Sequence, residues 1–307
     1  MTRAVVFAYH NVGVRCLKVL LAHGIDVRLV VTHEDNPNER IWFASVRQVC
    51  LENGISFITP DDPNTPETVA RVTAQDADFL FSFYYRHMLK APLLASSRRG
   101  AYNMHGSLLP NYRGRVPINW AVLHGEKETG ATLHQMTLKP DNGAIVDQFS
   151  VPILPDDTAQ EVFEKVTVAA ELCLDRSLPR LVAGTAEHRE QDLSLGGYFG
   201  GRKAEDGRID WLQNARQIHN LVRAVTHPYP GAFSDIADGR LVLWRTRVID
   251  DLAMSAHCGH LIQNREQLEI HPQGGGILQL LEAEIDGTVL RPGDKRLAGR
   301  GLPLLAS

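Results

Sequence analysis

Asn103 and His105 stand two residues apart in the run AYNMHGSLLPNYRGRVPINW, which spans Ala101 to Trp120. If this run opens as a strand, period two puts both side chains on one face. Gly106 then stops the strand and leaves the pair at its carboxyl end. An amide donor beside an imidazole suits a reaction through a tetrahedral oxyanion, in which one group donates a hydrogen bond and the other moves a proton. The alternative is a strand-end asparagine in a turn and a histidine satisfied by its surroundings. Pro110 and Gly114 shape a tight loop after the pair, which keeps Arg113 and Arg115 close to it. An arginine fork there suits a carboxylate, a phosphate or a carbonyl; alternatively, both arginines only solvate the loop. The third piece is Lys139-Pro140-Asp141-Asn142-Gly143. Asp and Asn make local hydrogen bonds in such a turn, whereas a functional Asp141 would face His105, where an anion favours a charged ring. Spacing leaves these two readings even.

Other motifs are weaker. Phe83-Tyr84-Tyr85-Arg86-His87 closes an apolar run, and its rings either wall a flat heterocycle or pack a sheet end. The first turn, Phe7-Ala8-Tyr9-His10-Asn11-Val12-Gly13, has one glycine where a dinucleotide fingerprint needs three. Tight NAD binding is therefore not expected. His257-Cys258-Gly259-His260 has a metal-like look but no partner pair nearby to complete a closed four-ligand site. No metal is expected. The chain contains neither a G-x-S-x-G elbow nor a P-loop.

These residues need elements to position them, and composition bounds the choice. The chain has 307 residues, 44% apolar and 22% charged, which excludes a disordered chain, a collagen-like chain and a coiled-coil rod. Its length suits two domains. Lys+Arg is 32 against Asp+Glu 36, a net charge of −4, so nothing draws it generally to nucleic acid or to an anionic membrane. Cys16, Cys50, Cys173 and Cys258 are scattered and read as reduced thiols of a cytoplasmic protein. The amino-terminal apolar run is too short for a signal peptide, and no stretch reaches the ~18 apolar residues of a membrane span.

The first half alternates. Strands are predicted over 4–7, 27–32, 55–58, 78–83 and 100–105, with helices between them that end at signals such as Gly24 and Gly54. This order predicts an α/β domain: a Rossmann-like, doubly wound, mostly parallel sheet with helices on both faces and a ligand crevice at the carboxyl ends of the strands. A helix over 117–124, strands over 129–137 and 144–152, and a long helix over 158–181 follow. The glycine-rich stretch 195–206 reads as a linker. Ile218, Leu221, Val222 and Val225 then mark a short helix. After it come strands, with turn signals at Asp238-Gly239 and Gly274-Gly275-Gly276, which predict a smaller barrel-like (OB-like) or open-sheet domain. The expected domains are residues 1–200 and 201–307.

Asn103-x-His105, the SLLP-x-YRGR run of 107–115 and Asp141 together resemble the N10-formyltetrahydrofolate-dependent formyltransferases. The resemblance covers essentially the whole chain. Ile209-Asp210-Trp211, Arg223-Ala224-Val225 and the run Pro228-Tyr229-Pro230-Gly231-Ala232-Phe233 look like the opening of that family's second domain. The resemblance implies Asn103, His105 and Asp141 as the catalytic set. It implies N10-formyltetrahydrofolate as co-substrate, with folate contacts at His87, Met88, Leu89 and Arg115 and around Thr137, Leu138, Lys139 and Pro140. It also implies amide formation by attack of an amine on the formyl carbon, with no metal required.

VVFAYHNVG, THEDNP, FSFYYRH and DNGAIV are similar to the branch that formylates the 4″-amine of UDP-4-amino-4-deoxy-L-arabinose, a step of lipid A modification and cationic-peptide resistance. That branch continues into a decarboxylase, whereas this sequence ends at Ser307; formylation without decarboxylation is expected. A branch acting on methionyl-tRNA carries a Lys/Arg-rich insertion after the second strand. Here that segment, His33 to Arg40, is HEDNPNER, short and acidic, which favours a UDP-amino sugar over a nucleic acid. Another amino-sugar nucleotide, and a non-catalytic module that binds folate or a sugar nucleotide, stay as alternatives.

Overall fold

The computed structural model describes residues 1–37, 41–237, 239–254, 257–295 and 302–303. The chain divides into two compact units, one of Met1–Pro117, Glu128–Pro152 and Phe163–Gly200, the other of Ile118–Lys127, Ile153–Val162 and Gly201–Ser307.

The first unit opens with β1 (Arg3–Ala8), α1 (His10–Ala22), β2 (Asp26–Val31), α2 (Val46–Glu52), β3 (Phe57–Ile58), α3 (Pro66–Thr73), β4 (Phe79–Phe83), α4 (Ala91–Leu94) and β5 (Ala101–His105). It continues with β6 (Arg113–Gly114), β7 (Glu128–Gln135), β8 (Ile145–Pro152), most of α6 (Ala159–Ala183) and β9 (Tyr198–Phe199), while α5 (Pro117–Leu123), apart from its first residue, belongs to the second unit. Its main sheet runs β3-β2-β1-β4-β5-β7-β8. The first five strands are parallel, and β7 and β8 return antiparallel. The sheet is thus mostly parallel and doubly wound.

Local hydrogen bonds start the helices. Ser45 accepts the Gln48 amide at 3.3 Å, and Thr65 accepts the Thr68 amide at 3.3 Å ahead of Pro66. In β1, Val5 and Phe7 pack with Val72 of α3 and Leu93 of α4, while Ala4, Val6 and Ala8 are equally buried on the other face. A strand covered on both sides reads as an unbroken apolar run, as 4–8 does. β1 lies between β2 and β4, so the winding reverses there. The crevice of such a sheet opens at the carboxyl ends of its strands beside that reversal.

The second unit holds α7 (Ala215–Val225), β10 (Ala232–Ile236), β11 (Gly239–Asp250), β12 (His260–Asn264), β13 (Gln267–His271), β14 (Ile277–Ile285), β15 (Thr288–Val289) and β16 (Leu302–Pro303). Its strands pair antiparallel in the order β10-β11-β14-β13-β12-β16, with β15 on β14. Asn214 and Gln217 form a capping box at the start of α7. The helix buries Ile218, Leu221, Val222 and Val225, as its spacing predicts. Glycines 274–276 separate β13 from β14. The Asp238-Gly239 signal stands at the join of β10 and β11, with Asp238 itself outside the described residues, as are residues 38–40 of the acidic segment.

The stretch 195–206 is not a plain linker. Tyr198 and Phe199 form β9, which pairs parallel with Arg113 and Gly114 of β6. Paired main chain replaces the free coil that its glycines imply. Within the second unit, His219 Nε2 donates to the Pro155 carbonyl at 3.1 Å and Arg223 Nη1 to the Asp157 carbonyl at 3.1 Å, tying α7 to residues 153–162.

Candidate active site

Asn103 and His105 end β5, and their side chains share a face as period two requires. The loop that follows is held without slack. Ser107 Oγ donates to the Asn111 carbonyl at 2.6 Å, and Thr132 Oγ1 donates to the Ser107 carbonyl at 2.6 Å. Gly106 has no room for a side chain, because a Cβ there would meet the Tyr84 hydroxyl.

The loop between β7 and β8 brings Asp141 to the same place. Its Oδ1 lies 3.6 Å from His105 Nδ1 and 3.5 Å from His134 Nε2. Its Oδ2 accepts the Gly114 amide at 2.8 Å. The Asp141 side chain is 11% exposed. Burial alone would raise its pKa, but the groups around it, the His105 ring first and the Gly114 amide with it, outweigh burial and hold the carboxyl well below the usual carboxylate range. Gln191 Nε2 donates to the Asp141 and Gly143 carbonyls at 2.9 and 2.6 Å and so supports the turn from behind.

His105 Nε2 donates to the Tyr112 carbonyl at 2.9 Å, since a carbonyl only accepts. Nδ1 has no hydrogen bond among the described residues. It is the nitrogen able to exchange a proton, and the Asp141 anion stands beside it.

The two arginines separate. Arg113 does not reach out as an anion fork. Its Nη1 donates to Asn142 Oδ1 at 3.1 Å, and its Nη2 donates to the Leu193 and Gly196 carbonyls at 3.1 and 3.0 Å. It joins the 113–115 loop, the 141–143 turn and the 193–199 stretch. Arg115 is exposed, and its guanidinium has no hydrogen bond among the described residues.

The positions implied for folate form two groups. His87 and Met88 are exposed, and the Leu89 side chain is buried. Asn64 holds this loop, its Nδ2 donating to the Met88 carbonyl at 2.9 Å and its Oδ1 accepting the Lys90 amide at 2.8 Å. The main-chain groups of His87 and Leu89 have no partner among the described residues, so they are free to meet the polar edge of a heterocycle. Thr137, Leu138 and Lys139 are exposed around a turn closed by Thr137 Oγ1 donating to the Lys139 carbonyl, with Pro140 half-buried.

Of the rings after β4, Tyr85 packs at the sheet end on Phe7 and stacks on His33 at 4.2 Å, and His33 Nε2 accepts the Arg86 amide at 3.1 Å. Burial, then His87 and Arg86, lower the His33 pKa to about 4. His10 stacks on Phe43 at 3.9 Å and meets Trp42 and Phe163 edge-on; burial, then Arg86, lower its pKa to about 3.

One site residue was missed from the sequence. His134, 2% exposed on β7, lies opposite Asn103 in the strand register, and its Nε2 is 3.1 Å from Asn103 Nδ2. The run ATLHQ reveals it only once the register of β7 against β5 is known. His260, from the metal-like run, has its Nδ1 3.1 Å from the Cys258 carbonyl. Among the described residues no three His, Cys, Asp or Glu side chains are grouped to hold a metal ion, and no helix is long and apolar enough to cross a membrane.

A doubly wound domain with an amide, two imidazoles and a depressed carboxylate at its crevice is equipped for acyl-type transfer. The formyl transferase family matches residues 5–177, and the formyl transferase C-terminal domain matches residues 202–299. The chain belongs to the formyl transferase family, and it is a formyltransferase enzyme. Its fold is similar to that of the N-formyltransferase from Helicobacter canadensis, solved in complex with folinic acid and dTDP-3-aminofucose, with 19% identity, a TM-score of 0.68 and coverage of 91% of this chain and 99% of that one. It is also similar to WlaRD, a sugar 3N-formyl transferase solved in the presence of dTDP and 5-N-formyl-THF, with 19% identity, a TM-score of 0.67 and coverage of 91% and 97%. A sugar N-formyltransferase from a Shewanella species matches at 20% identity with a TM-score of 0.63, over 79% of this chain and 96% of that one.

Proposed function

We propose that this chain transfers the formyl group of N10-formyltetrahydrofolate to the 4″-amine of UDP-4-amino-4-deoxy-L-arabinose. The observation that carries the chemistry is the convergence of Asn103, His105 and Asp141, with the Asp141 carboxylate 3.6 Å from the free Nδ1 of His105. The co-substrate supplies a formyl carbon that a neutral amine can attack. Asn103 Nδ2 offers an N–H to the oxygen as negative charge develops on it. His105 Nδ1 takes the proton that the amine loses and returns it to the departing nitrogen, and Asp141 stabilises the ring while it is charged. The free main-chain edge at His87 and Leu89 suits the pterin, and the exposed Arg115 guanidinium suits a carboxylate of the folate.

The acceptor rests on the acidic segment 33–40, the net charge of −4 and the sequence segments shared with the arabinose branch. A dTDP-linked amino sugar is the second reading, favoured by the dTDP-3-aminofucose held by the Helicobacter canadensis enzyme. The test is a panel of UDP- and dTDP-amino sugars and methionyl-tRNA with formyltetrahydrofolate, scored by product mass. Formylated UDP-4-amino-4-deoxy-L-arabinose is expected. Product only from a dTDP sugar would replace the acceptor, and product only from the tRNA would overturn the sugar reading altogether.

A further inference from the structure

We propose that His134 is the positioning residue that orients the Asn103 amide for the oxyanion, an inference that rests on the formyl-transfer reading of this site. The antiparallel register sets His134 of β7 directly opposite Asn103 of β5. Its ring is 2% exposed and cannot turn out to water. Nδ1 lies 2.9 Å from the Gln135 carbonyl, which only accepts, so Nδ1 carries a hydrogen. In the neutral ring Nε2 is then an acceptor, and the group it meets is Asn103 Nδ2, at 3.1 Å.

This chain of partners orients the amide. Asn103 turns its nitrogen to the ring because its oxygen would face a lone pair. A primary amide has two N–H groups. One is held by His134, and the other stays available beside His105. Without the imidazole acceptor the amide is free to rotate by half a turn and present its oxygen to a developing oxyanion, which repels it. Asp141 Oδ1, at 3.5 Å from the same Nε2, makes a longer contact that leaves the Asn103 hydrogen bond in place. The Gln135 carbonyl thus reaches the reacting oxygen through His134 and Asn103, and no part of His134 touches substrate.

Two variants separate positioning from packing. His134→Phe keeps a ring and removes the acceptor; His134→Gln places an amide oxygen near the position of Nε2. His134→Phe is expected to lower kcat about 10- to 100-fold, the scale of a reactive group displaced by a fraction of an ångström to about one ångström, with KM for both substrates little changed. His134→Gln is expected to recover most of that loss. In an Asn103→Ala background, His134→Phe is expected to cost nothing further. Equal losses in both backgrounds, equal slowness of the Phe and Gln variants, or unchanged kcat in His134→Phe would each overturn the proposal.

A readout without substrate keeps the two levels apart. In ¹H–¹⁵N spectra of the free enzyme, the Asn103 side-chain amide is expected to show one hydrogen-bonded proton that moves upfield in His134→Phe and stays in His134→Gln. An inactive wild type would sink the formyl-transfer reading, whereas Asn103 resonances indifferent to His134→Phe would sink this one. Should His134→Phe fail to fold, the His134→Gln spectra and kinetics decide: an Asn103 amide proton at the free-amide position would overturn the proposal.

Discussion

The Asp141 carboxylate accepts the Gly114 main-chain amide at 2.8 Å, and this bond ties the turn that carries the anion to the loop that follows His105. Gly114 has φ +99, and a Cβ on it would run into the Phe199 carbonyl. Only glycine combines that backbone with that close approach. Gly114→Ala is therefore expected to destabilise the protein by about 1–3 kcal/mol, the cost of a side chain in a sparsely allowed region. It is also expected to lower turnover, because β6 and β9 must separate and Asp141 loses a donor. Urea unfolding beside steady-state kinetics checks both; wild-type values in both would refute the link.

Asn103→Ala and His105→Ala are each expected to reduce kcat by about 10²–10³, since each removes a group aimed at charge that appears only in the transition state. KM should change less. The two act on one intermediate, so the double variant is expected to lose less than the sum of the singles. Full kinetics on the four proteins tests this, and simple additivity with large KM changes would contradict it.

Asp141→Asn keeps the shape and removes the anion, and it is expected to slow the reaction. It also has a signature in stability. Folded Asp141 has its pKa held below the unfolded value of 3.8. Its contribution is thus fully present above the unfolded pKa and is lost as pH falls through the folded value. The stability difference between wild type and Asp141→Asn is expected to be constant from about pH 7 down to 5 and to shrink below about pH 4. Urea titrations at a series of pH values read it directly. A difference that grew in acid would reverse the sign and refute the assignment.

His33 carries the opposite charge logic. Its unfolded pKa is 6.5, and its folded value is lowered to about 4 by burial and by His87 and Arg86. Between those values the unfolded chain takes up a proton that the folded chain refuses. Stability is therefore full above pH 6.5 and drains as pH falls toward about 4. His33→Gln retains an acceptor for the Arg86 amide and cannot titrate, so its stability is expected to fall less steeply over the same window. Parallel slopes for the two proteins would show that His33 does not contribute to the acid sensitivity.

Much of the scaffold is legible in the residues because it follows from local rules. The unbroken apolar run 4–7 announces a buried strand, and the structure has it within β1. Pro66 is a residue suited to a first helical turn, and α3 spans Pro66–Thr73. Asn103 and His105 share a face because strand period requires it. The chemistry of the pair is therefore visible in the string itself, as is the turn at Asp141.

What the string does not carry is distance across the fold. Whether Asp141 is a turn residue or a partner of His105 depends on where the β7–β8 loop lands, and packing brings it to 3.6 Å. The β7 register turns His134 from an ordinary strand residue into the acceptor for Asn103. The pairing of β9 with β6 makes a glycine-rich stretch that reads as linker into a wall of the 113–115 loop. Arg113 looks like an anion fork in sequence and is a tie between three loops in space, because carbonyls reach it first. Periodicity and capping act over a few residues and so belong to the sequence; register, loop closure and burial join residues dozens of positions apart, and only the folded chain decides them.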